Sequence, residues 1–254
     1  MNAATKYTAL LAFSTTLVSG SAQANLFKPS WSFADVSVNY LDWSAGTEKR
    51  NNGGKEDFVF LEVEGGVGYS WGEFYGFYDL ENPGNDREDE DGKEVRVAAK
   101  ATSHIYLGST PFSLYGQVYH FNSKGFYETN TVLGLGYRFN SDSGFWIKPW
   151  IGMHYVDSDT GYSGSNGVMA GWVAGYPFQA MGQNFMVTNW TELEMNRASE
   201  YEEGNGDFGI NGALALWWNA TANISAGLQY RYAHEKLGFD GYNNATITTL
   251  KYTF

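Results

Sequence analysis

In NNATITTLKYTF, residues 243–254, polar and apolar residues alternate from Thr249 up to the final Phe254. Phe254, Tyr252 and Leu250 fall on one face of an extended strand, and Thr253, Lys251 and Thr249 fall on the other. Chain ends usually fray into polar tails. Here an aromatic strand runs to the last residue, and such a strand needs a partner. In hydrocarbon that partner must be another strand, because lipid offers no hydrogen bonds and a spanning sheet must close. The expectation is a last strand over 242–254 that closes on the first, with Phe254, Tyr252 and Leu250 against lipid and Lys251 and Thr253 inside.

The same alternation recurs upstream. In VRVAAKA, Val95, Val97, Ala99 and Ala101 oppose Glu94, Arg96, Ala98 and Lys100. In NISAGLQYRY, Ile224, Ala226, Leu228, Tyr230 and Tyr232 oppose Ser225, Gly227, Gln229 and Arg231. Strand-like segments are expected at 33–43, 58–69, 74–80, 94–104, 112–121, 128–139, 145–155, 167–177, 184–196, 208–218, 222–233 and 242–254. Most have the length a tilted strand needs to cross a bilayer. The connectors alternate between long (44–57, 81–93, 122–127, 156–166, 197–207, 234–241) and short (70–73, 105–111, 140–144, 178–183, 219–221). Long loops outside and short periplasmic turns are the pattern of an outer-membrane barrel. The fold expected is therefore all-β: a transmembrane, antiparallel, up-and-down β-barrel of about 12 strands, with both termini periplasmic.

Composition fits and excludes. Of 254 residues, 17% are aromatic and 31 are Gly, and a net charge of −12 leaves no basic face for nucleic acid. Cysteine is absent, which removes disulfides, thiolate nucleophiles and cysteine metal sites together. Residues 1–24 have the cast of a signal peptide: one Lys, an apolar stretch over 8–20, and Ala22-Gln23-Ala24 as the small-x-small cleavage pattern. The domains are then 1–24, signal peptide, and 25–254, barrel, with cleavage near Ala24/Asn25 and a Gram-negative outer-membrane destination. The acidic run NPGNDREDEDGK, 82–93, reads as a solvated loop, with divalent-ion or lipopolysaccharide bridging as the sharper alternative.

FLEVEGGVGYSWGEFYGFYDLENP, 60–83, resembles the second hairpin of the Tsx-type nucleoside-specific channels and the related OmpK outer-membrane proteins. The matching elements are Leu61-Glu62-Val63-Glu64 and Phe74-Tyr75-Gly76-Phe77-Tyr78-Asp79, and GFDGYNNATITTLKYTF, 238–254, is similar to that family's closing strand. The resemblance implies a monomeric, narrow outer-membrane channel that passes nucleosides, with some members serving as phage receptors. Phe254 also resembles the terminal signature by which barrel-assembly machinery recognises its clients. The remaining partners expected are outer-membrane lipid and lipopolysaccharide, and a nucleoside or another small solute.

Register assigns the lumen without the family. The charges Glu62, Glu64, Asp79, Arg96, Lys100, Glu192, Glu194 and Arg231 lie on the less apolar strand faces, as do the rings Tyr75, Phe77, Tyr115 and Trp190. Two readings stand. Either these groups fill and brace a narrow barrel, or they form a slot where rings stack a base and carboxylates accept from sugar hydroxyls. Trp31, Trp71 and Trp218, near strand ends, are expected in interfacial girdles.

Two further classes stay open. One is a general porin or surface receptor without solute preference. The other is a barrel enzyme, which needs a Ser activated by a His; none of the four histidines has a Ser two residues on, the same-face spacing within one strand. The pairs Asp157/Asp159 and Asp89/Asp91 read as loop charge. No catalytic residue, metal ligand or cofactor is therefore assigned.

Overall fold

The computed structural model describes residues 26–52, 54–89, 93–159, 161–237 and 241–254, with the side chains of 203–205 excepted. Residues 1–24, expected to be a signal peptide, residues 90–92 of the acidic loop and residues 238–240 of the closing motif lie outside the described residues.

Twelve long strands form one antiparallel sheet: β1 Trp31–Trp43, β2 Phe58–Tyr69, β3 Gly72–Glu81, β4 Arg96–Tyr106, β5 Phe112–Ser123, β6 Phe126–Tyr137, β8 Trp146–Ser158, β9 Ser163–Ala180, β10 Gln183–Met195, β11 Phe208–Asn219, β12 Ile224–His234 and β13 Tyr242–Thr253. The two-residue β7, Phe139–Asn140, continues β6 beyond Arg138 and pairs with β8. Each strand bonds its sequence neighbours, β6 pairs with β8, and β13 pairs with β1 from Asp35↔Thr253 to Trp43↔Ala245. The barrel is thus closed, and Phe254 N–H donates to Ala34 O at 3.0 Å.

The molecule is inside-out relative to a soluble barrel. Val63, Leu133 and Leu250 are 57%, 67% and 60% exposed, while Ser37, Asn130 and Thr249 are 1%, 2% and 3% exposed. Hydrophobic side chains facing outward and polar ones facing inward suit a lipid surround. Leu250, Tyr252 and Phe254 lie on the outer face, as the closing strand's alternation requires.

Boundaries differ where the pattern is weak. β9 runs 18 residues, well past the expected 167–177, because its small and polar residues mask the alternation at its ends. The connector expected at 122–127 contracts to a turn at Lys124 and Gly125, whose φ of +67° favours glycine. β4 starts at Arg96, so Glu94 lies in a connector.

Two short helices were not expected: α1, Ala45–Arg50, and α2, Ser199–Asn205. Six or seven residues are too few to show a helical period. Ser44 caps α1, accepting from Thr47 N–H at 3.2 Å. α2 has no side-chain cap and depends on tertiary contacts.

Candidate solute pathway

The sequence of the β2–β3 hairpin builds one wall of the lumen. Glu62 and Asp79 are direct cross-strand partners, as are Glu64 and Phe77. Tyr75 donates its hydroxyl to Glu64 Oε2 at 2.6 Å, and Ser37 donates to Glu62 Oε1 at 3.3 Å. The Tyr75 and Phe77 rings are 6.5 Å apart in an edge-on arrangement. Lys251 ion-pairs with Glu64 and lies 3.6 Å from Asp35 Oδ1. The wall therefore gathers Asp35, Glu62, Glu64 and Asp79 around one lysine, beside two rings. Oxygens Asp35 Oδ1 and Asp79 Oδ1 are buried without a hydrogen-bond donor among the described residues.

The cations of β4, Arg96 and Lys100, do not pair with Glu62, Glu64 or Asp79. Register puts Arg96 opposite Glu81 and Lys100 opposite Phe77. Arg96 Nε donates to Glu81 Oε2 at 2.7 Å, and its guanidinium lies 4.7 Å from the Phe58 ring centre. Lys100 instead ion-pairs with Glu192.

A second group gathers around Trp190. Arg231 lies 4.6 Å and Lys100 5.6 Å from the centre of its ring. Gln117 Nε2 donates to Glu192 Oε1 at 3.0 Å, and Tyr115 donates to Gln117 Oε1 at 2.6 Å. Tyr115 also stacks on Trp150, centroids 4.5 Å apart and planes within 14°. Gly171 makes room for Trp150, since a Cβ there would lie 2.7 Å from the indole.

Glu194 is elsewhere. It lies at the long-loop end with Arg197 Nη2 at 2.8 Å and Lys236 in contact; Glu194 and Arg197 are deeply buried and Lys236 partly so. Burial alone pulls the Lys236 ammonium down, but Glu194, Tyr201 and Glu128 more than offset it and hold it above its ordinary value. Tyr201 of α2 donates to Glu128 Oε2 at 3.0 Å. Glu194 therefore ties the 196–207 connector into the mouth and touches none of the groups around Trp190.

Trp31 also departs from expectation. It shares the inward face of β1 with Phe33, and the Lys148 ammonium lies 5.6 Å from its ring centre. It thus belongs to the mouth of the lumen at the short-turn end. Gly68 permits this, because a Cβ there would lie 2.1 Å from the Trp31 ring nitrogen. Trp71 and Trp218 are at the same end, as a girdle requires. Trp71 stacks on Tyr69, and Trp218 is exposed and donates to Gln183 Oε1 at 3.1 Å.

Sequence reasoning missed Asp35, Gln117 and the partner of Lys251. Asp35 was legible in principle, since Asp35, Ser37 and Asn39 alternate with Val36, Val38 and Tyr40. It also missed a cross-strand pair, His104 Nδ1 and Ser113 Oγ, 2.9 Å apart, which a same-strand test cannot detect. Both are buried on the lumen side under Tyr115. Among the described residues no group of three or more His, Asp or Glu side chains is arranged to hold a metal.

The family model described as "Nucleoside-specific channel-forming protein, Tsx" matches residues 38–254. Solved structures with a similar course include the NanC porin, at 11% identity and TM-score 0.47, covering 86% of this chain and 98% of that one. The KdgM porin aligns at 7% identity and TM-score 0.47, over 87% of this chain and 99% of its own. The outer membrane phospholipase of Salmonella typhi, a dimer with bound calcium, aligns at 11% identity and TM-score 0.44, over 92% and 98%.

Proposed function

The chain belongs to the nucleoside-specific channel-forming Tsx family, and from that premise we propose that this outer-membrane channel passes nucleosides. The observation that carries the reading is the β2–β3 wall, where Tyr75 and Phe77 stand beside Glu62, Glu64 and Asp79. A nucleoside has a flat, uncharged base and a sugar with vicinal hydroxyls. Ring faces stack a base for about 1–3 kcal/mol each. Carboxylates are acceptors only, and they take hydrogen bonds from sugar hydroxyls even while ion-paired, because each oxygen keeps a second lone pair. The Trp190 and Arg231 pair offers another stacking surface further along the path. Several weak subsites suit a channel, since a solute held too tightly at one site does not leave. A phosphate on the sugar would meet the acidic wall, which disfavours nucleotides.

The same reading places the exposed apolar band in lipid and the long-loop end outward, where it meets lipopolysaccharide and any phage that uses the protein as a receptor. The test is single-channel current in planar bilayers with and without adenosine. Block by adenosine is expected, and Tyr75→Ala is expected to weaken it by roughly tenfold while leaving the barrel folded. A large current indifferent to adenosine would favour a general porin instead.

A further inference from the structure

Two ion pairs cross the lumen from wall to wall. Lys100 on β4 meets Glu192 on β10, and Lys148 on β8 meets Glu73 on β3 with Nζ and Oε1 2.5 Å apart. In the ring of strands, β5, β6, β8 and β9 separate β4 from β10 on the shorter way round, and β4, β5 and β6 separate β3 from β8. Neither pair is a contact between neighbours in the sheet. They lie at different depths: Glu73 is one residue from the short-turn end of β3, while Lys100 pairs in register with Phe77, halfway along it.

Each bar is held from more than one side. Gln117 donates to Glu192, and Tyr106 donates to Glu73 Oε2 at 2.9 Å. Lys100 lies over Trp190, and Lys148 lies 5.6 Å and 5.5 Å from the ring centres of Trp31 and Trp146. All four charged side chains are largely shielded, at 14% and 10% exposure for the first pair and 23% and 9% for the second.

Closure is already supplied by an unbroken backbone ladder round the ring. Stretching a lysine across the bore costs the rotamer entropy of a long side chain. Pairing along the wall, as Arg96 does with Glu81, would neutralise the same charges without blocking the path. What the crossing geometry adds is an obstruction whose two charges cancel. A narrow, low-dielectric passage amplifies any uncompensated charge, and a neutral bar presents none to a passing ion.

We propose that Lys100–Glu192 and Lys148–Glu73 are charge-cancelling crossbars that obstruct the bore against ions without adding net charge of their own to it. The proposal rests on the channel reading above but not on the identity of the solute. Its consequence is antisymmetric. Lys100→Met leaves Glu192 as a fixed negative charge in the bore, and Glu192→Gln leaves Lys100 as a fixed positive one.

The test uses the full-length barrel in planar bilayers under a KCl gradient, with no nucleoside present. Both variants are expected to conduct several-fold more than wild type. Their reversal potentials are expected to move in opposite directions, toward potassium for Lys100→Met and toward chloride for Glu192→Gln. The exchanged pair, Lys100→Glu with Glu192→Lys, is expected to return both readings toward wild type. Should either single variant fail to give a heat-modifiable barrel, Lys148→Met and Glu73→Gln pose the same question. Folded variants whose selectivity shifts in the same direction, or not at all, would overturn the crossbars. Adenosine block of wild-type current reports separately on the nucleoside reading, so failure of one is distinguishable from failure of the other.

Discussion

Lys55, in the connector between β1 and β2, shows how much one side chain can report. Its ammonium donates to Leu237 O at 2.9 Å and lies 5.2 Å from the Trp43 ring centre. Burial, and then the nearby charges of Arg96 and Arg231, bring it down to about 8, with Glu81 acting in the opposite sense. The sign follows. Below about pH 8 the lysine is protonated in folded and unfolded chains alike, and the cost of burying the charge is fully present. Between about 8 and its ordinary 10.5 the folded chain gives up its proton first, so stability rises with pH across that window. The mouth also loses a positive charge there. Reversal potentials at pH 7 and pH 9 are expected to show a shift toward cations in wild type that is smaller in Lys55→Gln. At this scale the sequence was most readable on alternating strands, where parity alone put Glu62, Glu64, Tyr75 and Asp79 on one wall. It was least readable for partner choice, because parity says which way Lys251 points and not that Glu64 receives it.

Among the elements, the connector holding α2 is the clearest case of structure hidden from pattern. No period is visible in SEYEEGN, and the helix lacks a capping side chain. It is held by Arg197, which donates to Glu194 Oε2, to Gly206 O at 3.1 Å and to Glu235 O at 2.9 Å. Asn166 Oδ1 accepts from Ala198 N–H at 2.9 Å. Of these groups Asn166 comes from β9 and Glu235 from the connector after β12, so no local window contains them all. Removing one partner of a buried ion pair costs about 3–5 kcal/mol. Arg197→Ala is therefore expected to loosen 196–207 and make it a site of protease cleavage on intact cells, while the wild-type connector resists. Equal resistance in the variant would show that Tyr201 and its bond to Glu128 suffice to hold α2 down.

For the molecule as a whole, strand number, closure and the inside-out faces were legible because each rests on a period of two repeated along the chain. The crossbars were not, since Lys100 and Glu192 are 92 residues apart and Glu73 and Lys148 are 75 apart, on strands that never pair. Loop length gives the expected orientation, and the structure shows which connectors are exposed. The connector 82–95 keeps exposed residues from Pro83 to Asp89, whereas α1 and α2 fold their connectors inward, with Thr47 and Tyr201 buried. At the other end Ser141 N–H and Gly144 N–H close a tight turn, donating to Phe145 O at 2.8 Å and Ser141 O at 3.1 Å. Exposed irregular backbone is what a protease needs, and only the outward end of an outer-membrane barrel meets a protease added to cells. Proteinase K on intact cells is expected to cut first within 82–95 and to leave 141–145 whole, and permeabilised cells are expected to add cleavage at the short-turn end. First cleavage at 141–145 on intact cells would reverse the orientation and, with it, the assignment of the acidic long-loop end to the outside.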